Sequence, residues 1–163
     1  MRAAYEAARR GVELSEVTYG WMSVRLLHPA ELDDAQVGYS VGGDGEDFSG
    51  TAEGSWRPGW LVIAEEDLAG DPIFVDLDAP GFPVYTAAHG EGEWEPVALA
   101  SSFDEFVAVL QLVDGASEGR SSPVALEQNP LPEETVREIL RRIAEASPGA
   151  DLDYWAEWLT PRE

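Results

Sequence analysis

The sequence contains no cysteine. Disulfides, thiolate metal sites and cysteine nucleophiles are therefore excluded, and nothing marks an oxidising compartment. Long apolar stretches are missing as well: no run approaches the ~20 residues of a membrane-spanning helix, and residues 1–11 lack the apolar core of a signal peptide. These absences predict a soluble, cytoplasmic protein that does not bind membranes.

Lysine is also absent, and all ten basic residues are arginines. They stand against 32 aspartates and glutamates, which gives the 163-residue chain a formal net charge of -22. The excess is concentrated in residues 31–95, which hold 16 acids and a single base, Arg57. Such a field repels nucleic acid and anionic lipid and speeds encounter with basic partners. Direct binding to DNA or RNA is therefore not expected.

Two explanations of the acidity remain open. The absence of lysine and the single asparagine, Asn129, beside abundant Ala, Gly, Pro and Arg, indicate GC-rich coding. That bias accounts for the lost lysines but not for the gained acids. A salt-adapted cytoplasm accounts for both, whereas selection for a basic partner accounts for the acids through electrostatic steering.

Short apolar and alternating segments predict an antiparallel meander. Residues 60–64 form a buried apolar run, and residues 72–78 alternate, with Ile73 and Val75 on one face and Phe74 on the other. The segment WMSVRLLHPAEL (21–32) predicts a strand followed by a helical turn that starts at His28 and Pro29. The segments 83–89 and 94–100 complete the set of strand candidates. Residues 41–59, interrupted by glycines and a proline, are predicted to be a loop.

Helix signals dominate the C-terminal half. Ser102 followed by Glu105 forms a capping box ahead of an apolar stripe that runs to Val113. Two further helices are predicted, one from Pro132 and one capped by Asp151 and stopped by Pro161. Strands first and helices afterwards predict a single α+β domain over 1–163. We expect an antiparallel sheet of about four to six strands with helices packed on one side and at the C-terminus: the sheet core and following helix within 20–113, and the C-terminal helices within 130–160.

The same pieces carry a resemblance to a known family. In order they are WLVIA (60–64), GDPIFVDL, PVY with HG, a Trp-led strand at Trp94, and SSFDEFVAVL (101–110), with ADLDYWAEWL towards the end. This order and spacing resembles the SUKH superfamily, which contains bacterial immunity proteins of polymorphic toxin systems and a related fungal cell-wall integrity regulator. The resemblance implies a non-enzymatic α+β domain that binds another protein, and it carries over no catalytic residues.

The stretch 70–90 is the first candidate for chemistry, because it holds Asp71, Asp76, Asp78 and His89. With residues 79–82 as the loop, Asp76 pairs with Tyr85, and His89 lies four positions away along the ladder, or roughly 13 Å. Ligands of one ion all lie within about 2.0–2.6 Å of it, so these groups do not form a metal site in that register. A slip of two or four residues would change the distance. We expect a turn role for Asp71 and a strand end at His89.

Other catalytic signals are weak. Residues 42–50 resemble a phosphate loop only superficially, because the glycine spacing is wrong and no lysine follows. The same loop does not match the calcium-loop spacing, and no serine lies in a G-x-S-x-G setting. The sequence therefore predicts neither an enzyme nor a cofactor or metal site.

The positions of the aromatic residues in the sequence separate those predicted to be buried from those predicted to be exposed. Periodic positions predict core roles for one group: Trp60, Trp94, Phe103, Phe106 and Trp155. Trp158 lies off the helix stripe, and Trp56 lies in the glycine-rich loop beside Arg57. We expect both of these tryptophans to be exposed. Because exposed Trp and Arg are favoured interface anchors, Trp56 and Arg57 are predicted to contact a partner.

The resemblance implies an immunity protein, and the acidic composition adds a basic partner. The combined prediction is that the protein covers the basic active site of a cytoplasm-acting toxin, such as a nuclease, with an acidic surface. The chain would act as a monomer or homodimer. An intracellular regulatory or scaffold module without a toxin partner is the alternative. The predicted partner-binding residues are Asp44, Glu46, Asp47, Trp56, Arg57, Glu65, Glu66, Asp67, Glu91 and Glu93, together with Glu95.

Overall fold

A computed structural model describes residues 1–160; Pro161, the expected stop of the last helix, lies outside them. None of the helices within 1–160 combines the length and the hydropathy that crossing a membrane requires. The elements, in chain order, are α1 (Arg2–Arg10), β1 (Glu16–Tyr19), β2 (Met22–Leu26), a 3₁₀ turn (Pro29–Glu31), α2 (Leu32–Ala35), β3 (Trp60–Glu66), β4 (Pro72–Asp76), β5 (Val84–Thr86), β6 (Val97–Ala100), α3 (Phe103–Ala116), α4 (Pro123–Gln128), α5 (Glu133–Ala146) and α6 (Leu152–Leu159).

The six strands form one sheet in the order β1-β2-β3-β4-β5-β6, with every neighbouring pair antiparallel. The predicted α+β class with an antiparallel meander is confirmed. Strand β1 and helix α4 were not predicted. The turn from β1 to β2 needs Gly20, which has φ 56 and lies so close to Leu126 that any Cβ would collide with that side chain.

One face of the sheet is covered by the helices. Helix α3 contacts both edge strands, β1 and β6, so the sheet curls around it. Helix α6 spans the same face, because the Trp155 indole N–H donates to Leu99 O (3.1 Å) and the Tyr19 hydroxyl donates to Leu159 O (3.3 Å). The expected exposure of Trp158 is wrong: only 2% of it is exposed, and its ring lies 5.8 Å from that of the buried Trp155.

The opposite face is covered by an aromatic layer, which we define as Tyr39, Trp56, Trp60, Phe74, Tyr85 and Trp94. The predicted exposure of Trp56 is wrong, because only 2% of it is exposed. Its indole N–H donates to Trp60 O (3.2 Å), and the glycine-rich loop folds back far enough to place the ring on Phe74. Strand β4 therefore alternates as expected, yet Ile73, Phe74 and Val75 are all fully buried.

A bulge in β3 is held by a side chain. The β3–β4 register shifts between Val62 and Ala64, and β2 pairs with β3 only from Ala64 onward. At Val62, before this pairing begins, the side chain of Gln36 binds the backbone as a neighbouring strand would. Its side-chain oxygen accepts from Val62 N–H (2.9 Å), and its side-chain amide N–H donates to Val62 O (3.1 Å). The buried amide thus satisfies backbone groups of Val62 that have no ladder partner because the β2 pairing stops at Ala64.

The start of α3 differs in one respect from the predicted capping box. Ser102 Oγ accepts from Glu105 N–H (3.2 Å), which confirms the cap. The Glu105 carboxylate, however, accepts from the Ser147 hydroxyl (2.7 Å), whose oxygen in turn accepts from Ser101 N–H (2.9 Å). The Glu105 side chain therefore connects α3 to the end of α5 and does not accept from the backbone N–H of Ser102, as a capping box would require.

Candidate partner-binding face

The hairpin of β4 and β5 differs in register from the expected one. Phe74 lies opposite Tyr85 and Val75 opposite Val84, so Asp76 faces Pro83 and not Tyr85. This two-residue shift moves His89 two positions farther from Asp76, to six positions or roughly 20 Å along the ladder. The shift arises because the connection begins two residues earlier than expected and spans residues 77–82. Within it, Gly81 (φ 78) and Phe82 (φ 57) both adopt left-handed backbone conformations.

His89 pairs with Asp71 instead. Asp71 Oδ1 accepts from the His89 backbone N–H (3.0 Å) and lies 2.7 Å from His89 Nδ1. This contact ties the start of β4 to the end of β5, which is the turn role expected of Asp71. Within residues 1–160, no group of three histidine or carboxylate side chains is placed to hold a metal ion.

A cleft of about 340 Å³ opens beside the turn from β3 to β4, and we call it the turn cleft. Tyr39, Glu65, Asp67 and Asp71 are among its lining residues. Burial raises the pKa of Tyr39, and the nearby carboxylates of Asp71 and Glu65 raise it further. Glu65 already has a cationic partner, since Arg25 donates to it at 2.9 Å. The turn cleft is acidic, and part of its charge is neutralised within the chain.

Glu66 was expected to face a partner, and this expectation is wrong. Its side chain lies on the helical face of the sheet and is only 6% exposed. Its carboxylate accepts from the backbone N–H groups of Leu68 (2.5 Å) and Ala69 (3.0 Å), so it shapes the turn. Its neighbour Asp67 is exposed, as expected, although one oxygen accepts from Ser23 N–H (2.9 Å).

A second cleft of about 300 Å³, which we call the Trp94 cleft, lies between residues 53–57 and 93–96. Trp60 and Trp94 provide its aromatic surface. Its charged lining residues are Glu53, Arg57, Glu93 and Glu95. Among residues 1–160, none of these four forms an ion pair within 4.0 Å. The cleft thus holds charged groups of both signs with no partner inside the described chain, and carboxylates outnumber the guanidinium.

The two clefts lie on the same side of the sheet. They are separated by the contact between Tyr39 and Trp94, whose ring centroids are 5.7 Å apart. Of the residues predicted to bind a partner, Glu65 and Asp67 line the turn cleft, and Glu66 contributes to its lining despite being buried. Arg57 and Glu93 line the Trp94 cleft, as does Glu95; Glu91 is exposed in the adjoining loop.

The remaining predicted acids form a separate exposed turn. Asp44 Oδ1 accepts from Glu46 N–H (3.1 Å), and Asp47 Oδ1 accepts from the Ser49 hydroxyl (2.7 Å) and N–H (2.8 Å). These bonds from Ser49 lower the pKa of Asp47. Asp44, Glu46 and Asp47 line neither cleft. Their carboxylates shape a local turn and add to the overall charge.

Sequence reasoning missed several residues of this face. Glu53 gave no signal within its glycine-rich loop, and Tyr39 reaches the site only through tertiary packing. Trp21, expected in a strand, is 47% exposed in the β1–β2 turn. Leu68, in the turn that follows β3, is exposed as well.

No family model matches the sequence, and neither a curated protein nor a solved structure is significantly similar to the chain. The role of the face therefore has to be inferred from its own residues.

Proposed function

We propose that this protein is an immunity protein of the SUKH type that binds a basic toxin domain in the cytoplasm and blocks its active site. The observation that carries the proposal is the set of exposed carboxylates around the two clefts. The family assignment rests on the sequence resemblance alone, and the resemblance supplies the toxin as the class of partner.

The mechanism is electrostatic substitution. A nuclease cleft is lined with cationic groups that neutralise substrate phosphates. Carboxylates such as Glu65, Asp67 and Glu93, which project from one side of the immunity protein, would occupy the positions of those phosphates. Each exposed pair contributes little, about 0.2–1 kcal/mol, so inhibition requires many pairs at once.

Charge and apolar contact serve different steps of binding. The net charge of -22 accelerates the encounter with a basic domain, while an anchor slows dissociation. Trp21 and Leu68 replace Trp56 as anchor candidates, because they are exposed whereas Trp56 is buried. An interface that combines a central aromatic anchor with a charged rim is typical of tight complexes.

The test is capture from the native host. The tagged chain is used to purify its partner, which is identified by mass and then expressed alone and together with the chain. The proposal predicts a net-positive partner that arrests growth alone and is neutralised by coexpression. A partner that is harmless alone would overturn the proposal and favour a regulatory or scaffold module.

A further inference from the structure

We infer that the Trp94 cleft receives one cationic side chain, a guanidinium or an ammonium, from the protein partner. The identity of the occupant as part of a protein rests on the proposed function. The chemistry of the occupant rests on the cleft itself.

The cleft is held open by backbone contacts between its two sides. Trp94 N–H donates to Gly54 O (2.8 Å), which joins the loop of 53–57 to the segment before β6. Gly54 has φ 75, and a Cβ there would lie 2.9 Å from the side chain of Glu93. Only glycine allows this approach, so Glu53 and Glu93 are held on the same rim by the fold.

The aromatic surface is also fixed in place. The Trp94 ring lies 5.2 Å from Trp56 in an edge-to-face arrangement (81°), and Trp56 is itself buried against Trp60 and Phe74. A cation within about 6 Å of an indole face is attracted by the electrons of the ring, and nearby carboxylates strengthen the attraction. The cleft presents both kinds of group without having to reorganise.

The net negative charge of the Trp94 cleft favours a cationic occupant. Three carboxylates and one guanidinium leave an excess of two negative charges in the cleft. In the turn cleft, by contrast, Arg25 already pairs with Glu65. A volume of about 300 Å³ is at the small end of ligand sites, which run from roughly 300 to 1,000 Å³, and it suits a single side chain.

Substitution of Arg57 tests whether the occupant of the Trp94 cleft is a cation or an anion. It lines the same cleft and forms no ion pair within the described chain. If the occupant is a cation, Arg57 repels it, and Arg57→Ala increases affinity. If the occupant is an anion, Arg57 is the main attraction, and the same substitution weakens binding.

The experiment titrates the intact protein with the peptide acetyl-Gly-Arg-Gly-amide, and the indole N–H of Trp94 is followed by NMR. The uncharged probe is the same peptide with citrulline in place of arginine. We expect saturable shifts with the arginine peptide, and affinity lower for the citrulline peptide by a factor of five or more. We also expect roughly tenfold weaker binding after Glu93→Gln with Glu95→Gln, and tighter binding after Arg57→Ala.

The matched control is Glu118→Gln with Glu127→Gln, which removes two exposed negative charges outside the cleft. An equal loss of affinity in this control would show that only net charge matters and would overturn the inference. Equal binding of the citrulline peptide, or weaker binding after Arg57→Ala, would overturn it as well.

The same variants separate this inference from the proposed function. A toxin that is captured and neutralised equally well by the wild type and by the Glu93→Gln, Glu95→Gln variant would overturn the cation site and leave the immunity function standing. Selective binding of the arginine peptide together with a partner that is harmless alone would uphold the cation site and overturn the immunity function.

Discussion

The ring centroids of Trp56 and Phe74 lie 4.7 Å apart, so the glycine-rich loop supplies a core residue to the central strand of the sheet. The loop contains no regular strand or helix. It is joined to the rest of the fold by this contact, by the Trp56 indole N–H donating to Trp60 O (3.2 Å) and by Trp94 N–H donating to Gly54 O (2.8 Å). One buried indole thereby also positions the rim of the Trp94 cleft.

Replacing this indole should destabilise the whole domain. Trp56→Ala is expected to lower the free energy of unfolding by about 3–5 kcal/mol, because it leaves a large cavity over Phe74. Urea denaturation monitored by circular dichroism measures the change. The control is Trp21→Ala, which removes an exposed indole and should cost less than about 1 kcal/mol. Similar losses in the two variants would contradict the assigned core role of Trp56.

The bulge in β3 gives a second stability prediction. Gln36→Leu keeps the side chain buried but removes the partners of Val62 N–H and Val62 O. Each buried polar group left unsatisfied costs about 1–3 kcal/mol, so the loss of both partners is expected to cost about 2–6 kcal/mol in the same denaturation assay. Gln111→Leu, on the exposed side of α3, is the matched control and should change stability by less than about 0.5 kcal/mol. An unchanged Gln36→Leu variant would show that water can replace the side-chain amide.

Alkaline pH should destabilise the fold because it ionises buried tyrosine side chains. Burial is the first cause that raises the pKa of all five tyrosines: Tyr5, Tyr19, Tyr39, Tyr85 and Tyr154. A group whose folded-state pKa lies above its unfolded value of about 10 stabilises the fold fully below pH 10, and this contribution is lost as the pH rises through the folded-state pKa.

Absorbance of tyrosinate against pH, with circular dichroism in parallel, measures this effect. The folded protein should ionise its tyrosines above pH 10, together with loss of structure, whereas the chain in urea should ionise them near pH 10. Ionisation of all five near pH 10 with the fold intact would contradict the assigned burial. Asp71→Asn should lower the pKa of both Tyr39 and Tyr154, because each loses a negative neighbour.

Salt should slow association with the captured partner. The screening length falls from about 10 Å at 0.1 M salt to about 3 Å at 1 M, so steering by the acidic face weakens. Stopped-flow measurements should show an association rate constant that decreases by tenfold or more over this range, with a smaller change in the dissociation rate. An association rate that does not depend on salt would favour adaptation to a salty cytoplasm as the cause of the acidic composition.

Local signals in the sequence predicted much of the fold. The caps Ser102 and Asp151 accept from backbone N–H groups as expected, and His28 starts the 3₁₀ turn by accepting from Ala30 N–H (3.2 Å). Period-two alternation located β4 and its neighbours. These features depend on residues within one turn or one strand, where propensity and pattern carry the information.

Long-range packing accounts for what was missed. Strand β1 is only four residues long and becomes recognisable through its pairing with β2. Trp56 stands among glycines and acquires its burial from Phe74, which lies 18 positions later in the chain. Glu66 follows an apolar run and resembles its exposed neighbour Glu65, yet it faces the helical side and caps the next turn. The residues of the Trp94 cleft could not be grouped from the sequence either, because they come from segments that are far apart in the chain.

The most direct test of the account is growth of cells that express the captured partner. The wild-type chain and the Glu118→Gln, Glu127→Gln control should both restore growth, and their neutralising dose should be nearly the same. The Glu93→Gln, Glu95→Gln variant should need a dose several-fold higher, because the acidic clefts supply the contacts that replace substrate phosphates. A partner that does not inhibit growth, or inhibition that the wild-type chain cannot relieve, would contradict the proposed immunity function.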